Sequence, residues 1–94
     1  MIYLKVRWIH NNLNDPILLF SELDENRNEI RKIEIFANSR IGYASFSESG
    51  GETRLGEAPI PDSEEISLDP QFIIEKTDKD EFERMWSNAV RRVV

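Results

Sequence analysis

The first half of the chain alternates apolar and polar residues with a period of two, the spacing of side chains along a half-buried β-strand. In residues 2–10, Leu4 and Val6 fall on one face, while Lys5 and Arg7 fall on the other. Runs of the same kind cover residues 17–24, 29–37 and 41–46. Short polar links separate these four runs, so the pattern predicts a four-stranded antiparallel meander.

The last part of the chain changes to helical spacing. Thr77 is the predicted N-cap, and the carboxylates that follow it stand where the helix dipole favours negative charge. Apolar residues then recur three or four positions apart, at Phe82, Met85, Trp86, Ala89, Val90 and Val93. Because the strands need a cover for their apolar face, we expect this helix to pack on one face of the sheet.

Residues 47–71 show little periodicity and hold three of the four glycines and three of the four prolines. They predict a long loop, with a tip at residues 49–52 and a short helical turn capped by Asp62 or Ser63. The apolar residues 72–74 would anchor the loop to the rest of the domain. Long loops in small domains are often functional.

These elements fit one domain that spans residues 1–94, a length that supports a single core. The predicted class is α+β: a four-stranded antiparallel sheet, a long acidic loop and a C-terminal helix on one face.

Charge is unevenly distributed. Residues 43–81 hold eleven of the eighteen carboxylates against three cations, a net charge of −8. Residues 1–42 carry six charges of each sign and are neutral. A field concentrated in one segment can select a partner of opposite charge.

The composition also excludes some functions. A net charge of −6 argues against a nucleic-acid partner, which requires a positive footprint. The apolar runs are shorter than the ~20 residues that span a bilayer, so no membrane role is expected. The absence of cysteine excludes disulfides and thiolate metal sites and fits a reducing cytoplasm. No cofactor or metal is predicted.

Three side chains are candidates for catalysis. His10 is the only histidine and could act as a base, although a histidine at a strand end without a flanking motif is usually structural. Glu22 and Asp24 project from the same strand face and could hold a hard cation. The more ordinary interpretation, which we favour, is a solvated strand face with cross-strand charge pairing to Arg31 or Lys32.

Other residues suggest contacts rather than catalysis. Arg54 lies among the loop carboxylates and would either tie the loop down or meet a partner's carboxylate; we favour the tie. Trp8 and Trp86 are expected in the core. Tyr43 and Phe46 approach the acidic loop and are predicted to be exposed.

Gly42 lies inside the fourth predicted strand. It indicates a bulge or the close approach of another part of the chain.

The order of motifs resembles a family of small uncharacterised bacterial proteins that carry a domain of unknown function. The matching segments are Tyr3 to Trp8, Leu18 to Asp24, Ile30 to Phe36, Arg40 to Ala44, Thr53 to Glu57, Pro59 to Pro61, Asp69 to Phe72 and Phe82 to Trp86. The resemblance implies a context similar to that of immunity proteins, which neutralise bacterial toxins. It implies no site residues.

The sequence therefore predicts a non-enzymatic binding protein, an immunity protein that covers the cationic cleft of a basic toxin such as a nuclease. The predicted partner-binding residues are Glu48, Glu52, Glu57, Asp62, Glu64, Glu65, Asp69 and Tyr43. Apolar contacts from Leu55, Ile60 or Phe72 would slow dissociation. The alternative is a structural or regulatory module that forms a homodimer through an exposed sheet edge, at the first or fourth strand.

Overall fold

The computed structural model describes the backbone of residues 1–93 and the side chains of residues 1–91. The strands in this part of the chain are β1 (Ile2–Trp8), β2 (Leu18–Leu23), β3 (Glu29–Ile35), β4 (Ile41–Ser45), β5 (Ser49–Gly50) and β6 (Phe72–Glu75). The helices are α1 (Ser63–Ser67) and α2 (Lys79–Val93). The predicted α+β class and antiparallel sheet are confirmed.

The strands described over residues 1–93 form one antiparallel sheet in the order β5-β4-β3-β2-β1-β6. The first four strands form the predicted meander, but the prediction of only four strands is wrong. The expected loop tip contains β5, and the expected anchors form β6 beside β1. Both strands are too short for alternation to reveal them, so only their neighbours in the fold identify them.

One face of the sheet, here called face A, is covered by α2. Phe82 and Ala89 of the helix are fully buried against Phe20 and Ile33 of the sheet. Arg31 stacks on the helix, with its guanidinium carbon 4.9 Å from the Phe82 ring centre. The predicted helical stripe therefore supplies the cover for face A, except that the side chain of its last member, Val93, lies outside the described residues.

The opposite face, face B, is covered by irregular chain rather than by a long helix. Residues 53–62, here called the strap, cross it and lead into α1. Leu4, Val6 and Leu23 of the sheet are buried beneath this layer and form a second cluster with Ile60 and Ile66. Apolar residues on both faces of β2 reflect this double cover.

The N-terminus of α2 differs from the prediction by one residue. The backbone N–H of Glu81 donates to Oδ1 of Asp78 at 2.8 Å, so Asp78 caps the helix. Thr77 instead donates its hydroxyl to Oε1 of Glu81 at 2.6 Å. The prediction of Thr77 as the N-cap is wrong, because Asp78 is the carboxylate that reaches the free N–H groups of the first turn.

The first and fourth strands, which the predicted homodimer would use, are not the outermost strands of the sheet. β1 lies between β2 and β6, and β4 lies between β3 and β5. β6 pairs with β1 only from Lys5 to Trp8, and β5 pairs with only Tyr43 and Ala44 of β4, so homodimerisation through the remaining edge stays a prediction. In the described part of the chain, the edges are the short strands β5 and β6.

Candidate functional site

The strap begins with a close contact between Thr53 and β4. The Thr53 hydroxyl donates to Oε1 of Glu34 at 2.7 Å, and Thr53 is buried. This packing is possible because the facing residue is Gly42, where an added Cβ would lie 2.0 Å from the Thr53 hydroxyl oxygen. The predicted close approach at Gly42 is confirmed, and the pairing of β3 with β4 is regular there rather than bulged.

Glu29 holds the middle of the strap. Its carboxylate accepts the backbone N–H of Gly56 and lies 3.3 Å from the Lys32 ammonium. The Lys32 ammonium also donates to the Arg54 carbonyl at 2.9 Å. The Glu29 side chain is 2% exposed, so this carboxylate is buried under the strap and paired there.

Arg27, in the turn between β2 and β3, holds the end of the strap. Its Nε donates to the Ile60 carbonyl at 2.9 Å, and its Nη2 donates to the Pro61 carbonyl at 2.7 Å. The Asp62 carboxylate is 3.9 Å away. The predicted tie, Arg54, is exposed and makes no salt bridge among the described side chains. The tie is therefore Arg27, which the charge pattern of the loop could not identify because it lies on another element.

Between the sheet and this cover lies a groove of about 400 Å³. Its floor is apolar, its roof is the end of the strap and α1, and carboxylates stand among its walls. The lining residues are Leu4, Val6, Leu19, Ser21, Glu29, Lys32, Ile60, Pro61, Glu65, Ile66, Asp69 and Phe72. A mostly apolar concavity with a few placed polar groups is the usual form of a binding site.

The predicted contact carboxylates are all exposed: Glu48, Glu52, Glu57, Asp62, Glu64, Glu65 and Asp69. Among the described side chains, only Asp62 of this set forms a salt bridge, the 3.9 Å contact with Arg27. The basic side chains of residues 1–91 therefore do not neutralise the set.

These carboxylates do not form one patch. Glu65 and Asp69 line the groove, and Glu64 is next to them on α1. Glu48 instead lies in the hairpin between β4 and β5, beside Trp86 and Val90 of α2. At about 4.8 Å per strand, the β5 and β6 edges of this sheet are roughly 24 Å apart. The fold thus gathers the α1 carboxylates at the groove and separates Glu48 from them.

The expectation that Tyr43 is exposed is wrong. Tyr43 is 6% exposed and lies under α2, with its ring centre 5.3 Å from that of Trp86. Its position on β4 points it to face A, so it is not available to a partner. Phe46, in the following turn, is 99% exposed as predicted.

The tryptophans differ from each other. Trp86 packs on Tyr43 and Phe82 in the α2 layer. Trp8 is half-buried at the end of β1, where it contacts Phe72 and His10. Trp86 is half-buried as well, but it packs against the face A core, so the expectation of core packing holds only in part for both tryptophans.

Glu22 has internal partners. Arg31 donates to both of its carboxylate oxygens, at 2.7 and 2.9 Å, and the Tyr3 hydroxyl donates at 2.8 Å. The hydrogen bonds from Arg31 are the main cause that lowers the pKa of Glu22. Burial, with the hydrogen bond to Glu22, raises the pKa of Tyr3. The favoured cross-strand pairing is therefore confirmed for Glu22, but the expectation of a solvated strand face is wrong, because Glu22 is buried under α2.

Asp24 and His10 organise turns. Asp24 accepts the backbone N–H groups of Asn26 and Asn28, and the bond from Asn28 is the main cause that lowers its pKa. His10 accepts the Asn12 N–H at Nδ1, and its Nε2 lies 2.8 Å from the Pro16 carbonyl. Both ring nitrogens are thus engaged in the turn.

No group of three or more histidine or acidic side chains in the described part of the chain could hold a metal ion. Within residues 1–93, neither helix is long and apolar enough to cross a membrane.

Comparison with known families gives one match. The family model described as Domain of unknown function (DUF6881) matches residues 2–91. The chain belongs to the DUF6881 family. No curated protein and no solved structure shows a significant match to it. Membership in DUF6881 confirms the resemblance to a domain of unknown function, and it assigns no activity or site.

Alternation along β1 places Leu4 and Val6 on one face, but it cannot show that a groove remains above them. Glu29 gave no signal in the sequence, because a lone carboxylate at the start of a strand is usually solvated. Ile60 and Phe72, two of the expected apolar contacts, do line the groove.

Proposed function

We propose that this protein is a non-enzymatic binding protein that docks onto a basic protein partner. The observation that carries the proposal is the set of exposed acidic side chains, of which all but Asp62 lack a salt bridge among the described residues. A carboxylate that is paired within its own chain attracts a partner weakly. An unpaired one keeps its field, which steers encounter and raises the association rate.

The docking surface in this proposal is α1 with the end of the strap. This surface carries three closely spaced carboxylates, Asp62, Glu64 and Glu65, and Asp69 follows the helix. The strap is tied to the sheet by Arg27 and Glu29, so the carboxylates are held on an ordered support. Preorganisation of this kind lowers the entropy cost of binding.

The partner is proposed to be a bacterial toxin domain with a cationic substrate cleft, such as a nuclease, and the protein to be its immunity protein in the cytoplasm. Support comes from the context implied by the resemblance and from the acidic surface. The carboxylates would cover the cleft in place of the substrate's phosphates. The absence of cysteine fits a reducing compartment.

Binding is favoured over catalysis because the groups that could catalyse have structural partners. Glu22 is held by Arg31 and Tyr3, and His10 is engaged by its own turn. A general base needs free access to the proton that it removes.

The test begins with capture of a partner from lysate on the immobilised protein at salt of about 0.1 M and about 1 M, where the Debye length falls from about 10 to about 3 Å. The association rate of the captured protein is then measured by stopped flow. We expect Glu64→Lys/Glu65→Lys to lower it at least about tenfold at the lower salt.

Glu48→Lys is the control, because it changes the charge of a single exposed carboxylate on the side of the molecule that carries α2. It should leave the rate within about twofold. If no basic protein is captured, or if the double variant associates as fast as the wild type, the proposal is rejected.

A further inference from the structure

We propose that the face B groove binds a segment of the partner in which an apolar side chain is flanked by lysine or arginine. This inference rests on the proposed function and deepens it, because it names the part of the partner that is recognised. The residues that carry it are the apolar floor and the carboxylates of the wall.

The floor and roof of the groove favour an apolar side chain. Leu4 and Val6 form the floor together with Leu19, while Ile60 and Ile66 approach from the strap and α1. The volume of about 400 Å³ is near the lower end of the range of ~300–1,000 Å³ seen for small-ligand pockets. Space of this size suits one or two large side chains.

The charges of the wall favour a cation beside that side chain. Glu29, Glu65 and Asp69 line the groove, and Lys32 is the only cation among the lining residues. The Lys32 ammonium is 3.3 Å from Glu29 and is thereby engaged. Glu65 and Asp69 make no salt bridge among the described side chains. Oδ1 of Asp69 accepts the Gln71 backbone N–H at 2.9 Å, so Asp69 would meet a partner's cation through Oδ2.

Charge complementarity therefore selects the occupant. An acidic segment would place a carboxylate beside Glu65 and Asp69, where like charges repel. A purely apolar segment would leave both carboxylates without a counter-charge. An arginine or lysine at the mouth of the groove would pair with the wall carboxylates while its apolar neighbour contacts the floor. Arginine can pair with a carboxylate through two parallel hydrogen bonds.

The groove adjoins the surface that the proposed function uses. Glu64 and Glu65 are adjacent on α1, yet only Glu65 lines the groove. Long-range steering would use both carboxylates, whereas recognition in the groove would depend on Glu65.

The test uses short capped peptides as probes. The chain is ¹⁵N-labelled and titrated with Ac-Arg-Trp-Arg-NH2, and the comparison probes are Ac-Arg-Ser-Arg-NH2 and Ac-Glu-Trp-Glu-NH2. We expect saturable shifts at the amides of Ile60, Ile66 and Phe72 with the first probe. Each comparison probe should bind at least about tenfold more weakly.

Matched variants then locate the site. Glu65→Lys should weaken binding of the first probe about tenfold, while Glu48→Lys, an equal change of charge away from the groove, should change it less than about twofold. Both side chains are exposed, so neither change threatens the fold. Asp69→Asn, a second change in the wall, should weaken binding in the same direction.

Three results would overturn the inference: equal binding of all three probes, equal losses from Glu48→Lys and Glu65→Lys, or shifts confined to α2. Concentration-dependent self-association that is abolished by Glu65→Lys would also overturn it, because a second copy would then be the occupant. If the probes fail while salt-sensitive association with a basic protein persists, the inference falls and the proposed function stands. If Ac-Arg-Trp-Arg-NH2 binds in the groove but no basic protein is captured, the proposed function falls instead.

Discussion

The most informative perturbation is Arg27→Met, because Arg27 ties the strap that forms the roof of the groove. The side chain donates to the carbonyls of Ile60 and Pro61 at 2.9 and 2.7 Å. Methionine keeps most of the aliphatic stem and removes the guanidinium. Arg27 has a φ of 65°, and an unbranched residue such as methionine bears a similar backbone cost there.

The expected loss can be estimated from the burial of each bond. A hydrogen bond from a charged donor contributes about 1.5–3 kcal/mol when buried, and less where water competes. The Arg27 side chain is 20% exposed, and the bond to Pro61 is solvent-exposed. We assign about 1.5 kcal/mol to the Ile60 bond and about 0.5 kcal/mol to the Pro61 bond. The total of about 2 kcal/mol corresponds to roughly a 30-fold larger open population of the strap.

Native-state hydrogen exchange measures this opening directly. The Ile60 N–H donates to the Arg27 carbonyl at 2.8 Å, so its exchange reports whether the strap is closed. In Arg27→Met we expect this amide to exchange about 30-fold faster. The amide of the fully buried Ile33 in β3 should change little, because the sheet does not depend on the strap tie.

Arg54→Met is the matched control, since Arg54 is an exposed arginine within the strap itself. It should alter Ile60 exchange less than about twofold, as expected for a surface side chain without structural partners. If Arg54→Met loosens the strap as much as Arg27→Met does, or if Arg27→Met leaves Ile60 exchange unchanged, the assignment of the tie to Arg27 is refuted.

Three further outcomes are expected. Gly42→Ala should destabilise the fold by about 2 kcal/mol in urea denaturation, because its Cβ would lie 2.0 Å from the Thr53 hydroxyl, and the penalty should shrink in a Thr53→Ala background. Glu22 has a folded pKa below its ordinary value of 4.5. Its contribution to stability is therefore present above that value and is lost as pH falls through the folded pKa. The free energy of unfolding, measured over a pH series, should fall less in acid for Glu22→Gln than for the wild type. Phe82→Ala should cost about 4 kcal/mol by thermal denaturation, whereas Phe46→Ala should change stability by less than about 0.5 kcal/mol, since their exposed fractions are 0% and 99%.

Much of the fold could be predicted because long segments repeat a local period. Strands β1 to β4 and α2 each place several apolar residues at a regular spacing, and such repetition outweighs local irregularity. β5 and β6 have two and four residues, so neither contains enough positions to show a period. β6 pairs with β1, which lies near the other end of the chain, and β5 pairs with only two residues of β4.

The candidate site was predicted only in part, for a similar reason. The exposure of the loop carboxylates followed from charge and loop composition. Their separation did not, because the distance between Glu48 and Glu65 depends on which strands form the two sheet edges. Tyr43 shows the same limit: its place in a strand was predicted, whereas its burial depends on where α2 lies.

The sequence by itself determined the α+β class, the meander, the helix that covers face A and the acidity of the central segment, since each depends on residues close together in the chain. Only the tertiary structure decided that Arg27 and Glu29 hold the strap, that a groove remains beneath it, and that Glu65 and Asp69 line that groove. These features join residues about thirty or more positions apart, as in the contact between Arg27 and Ile60 at a separation of 33. Contacts at such separations are set by packing of the whole chain, which no local pattern of residues specifies.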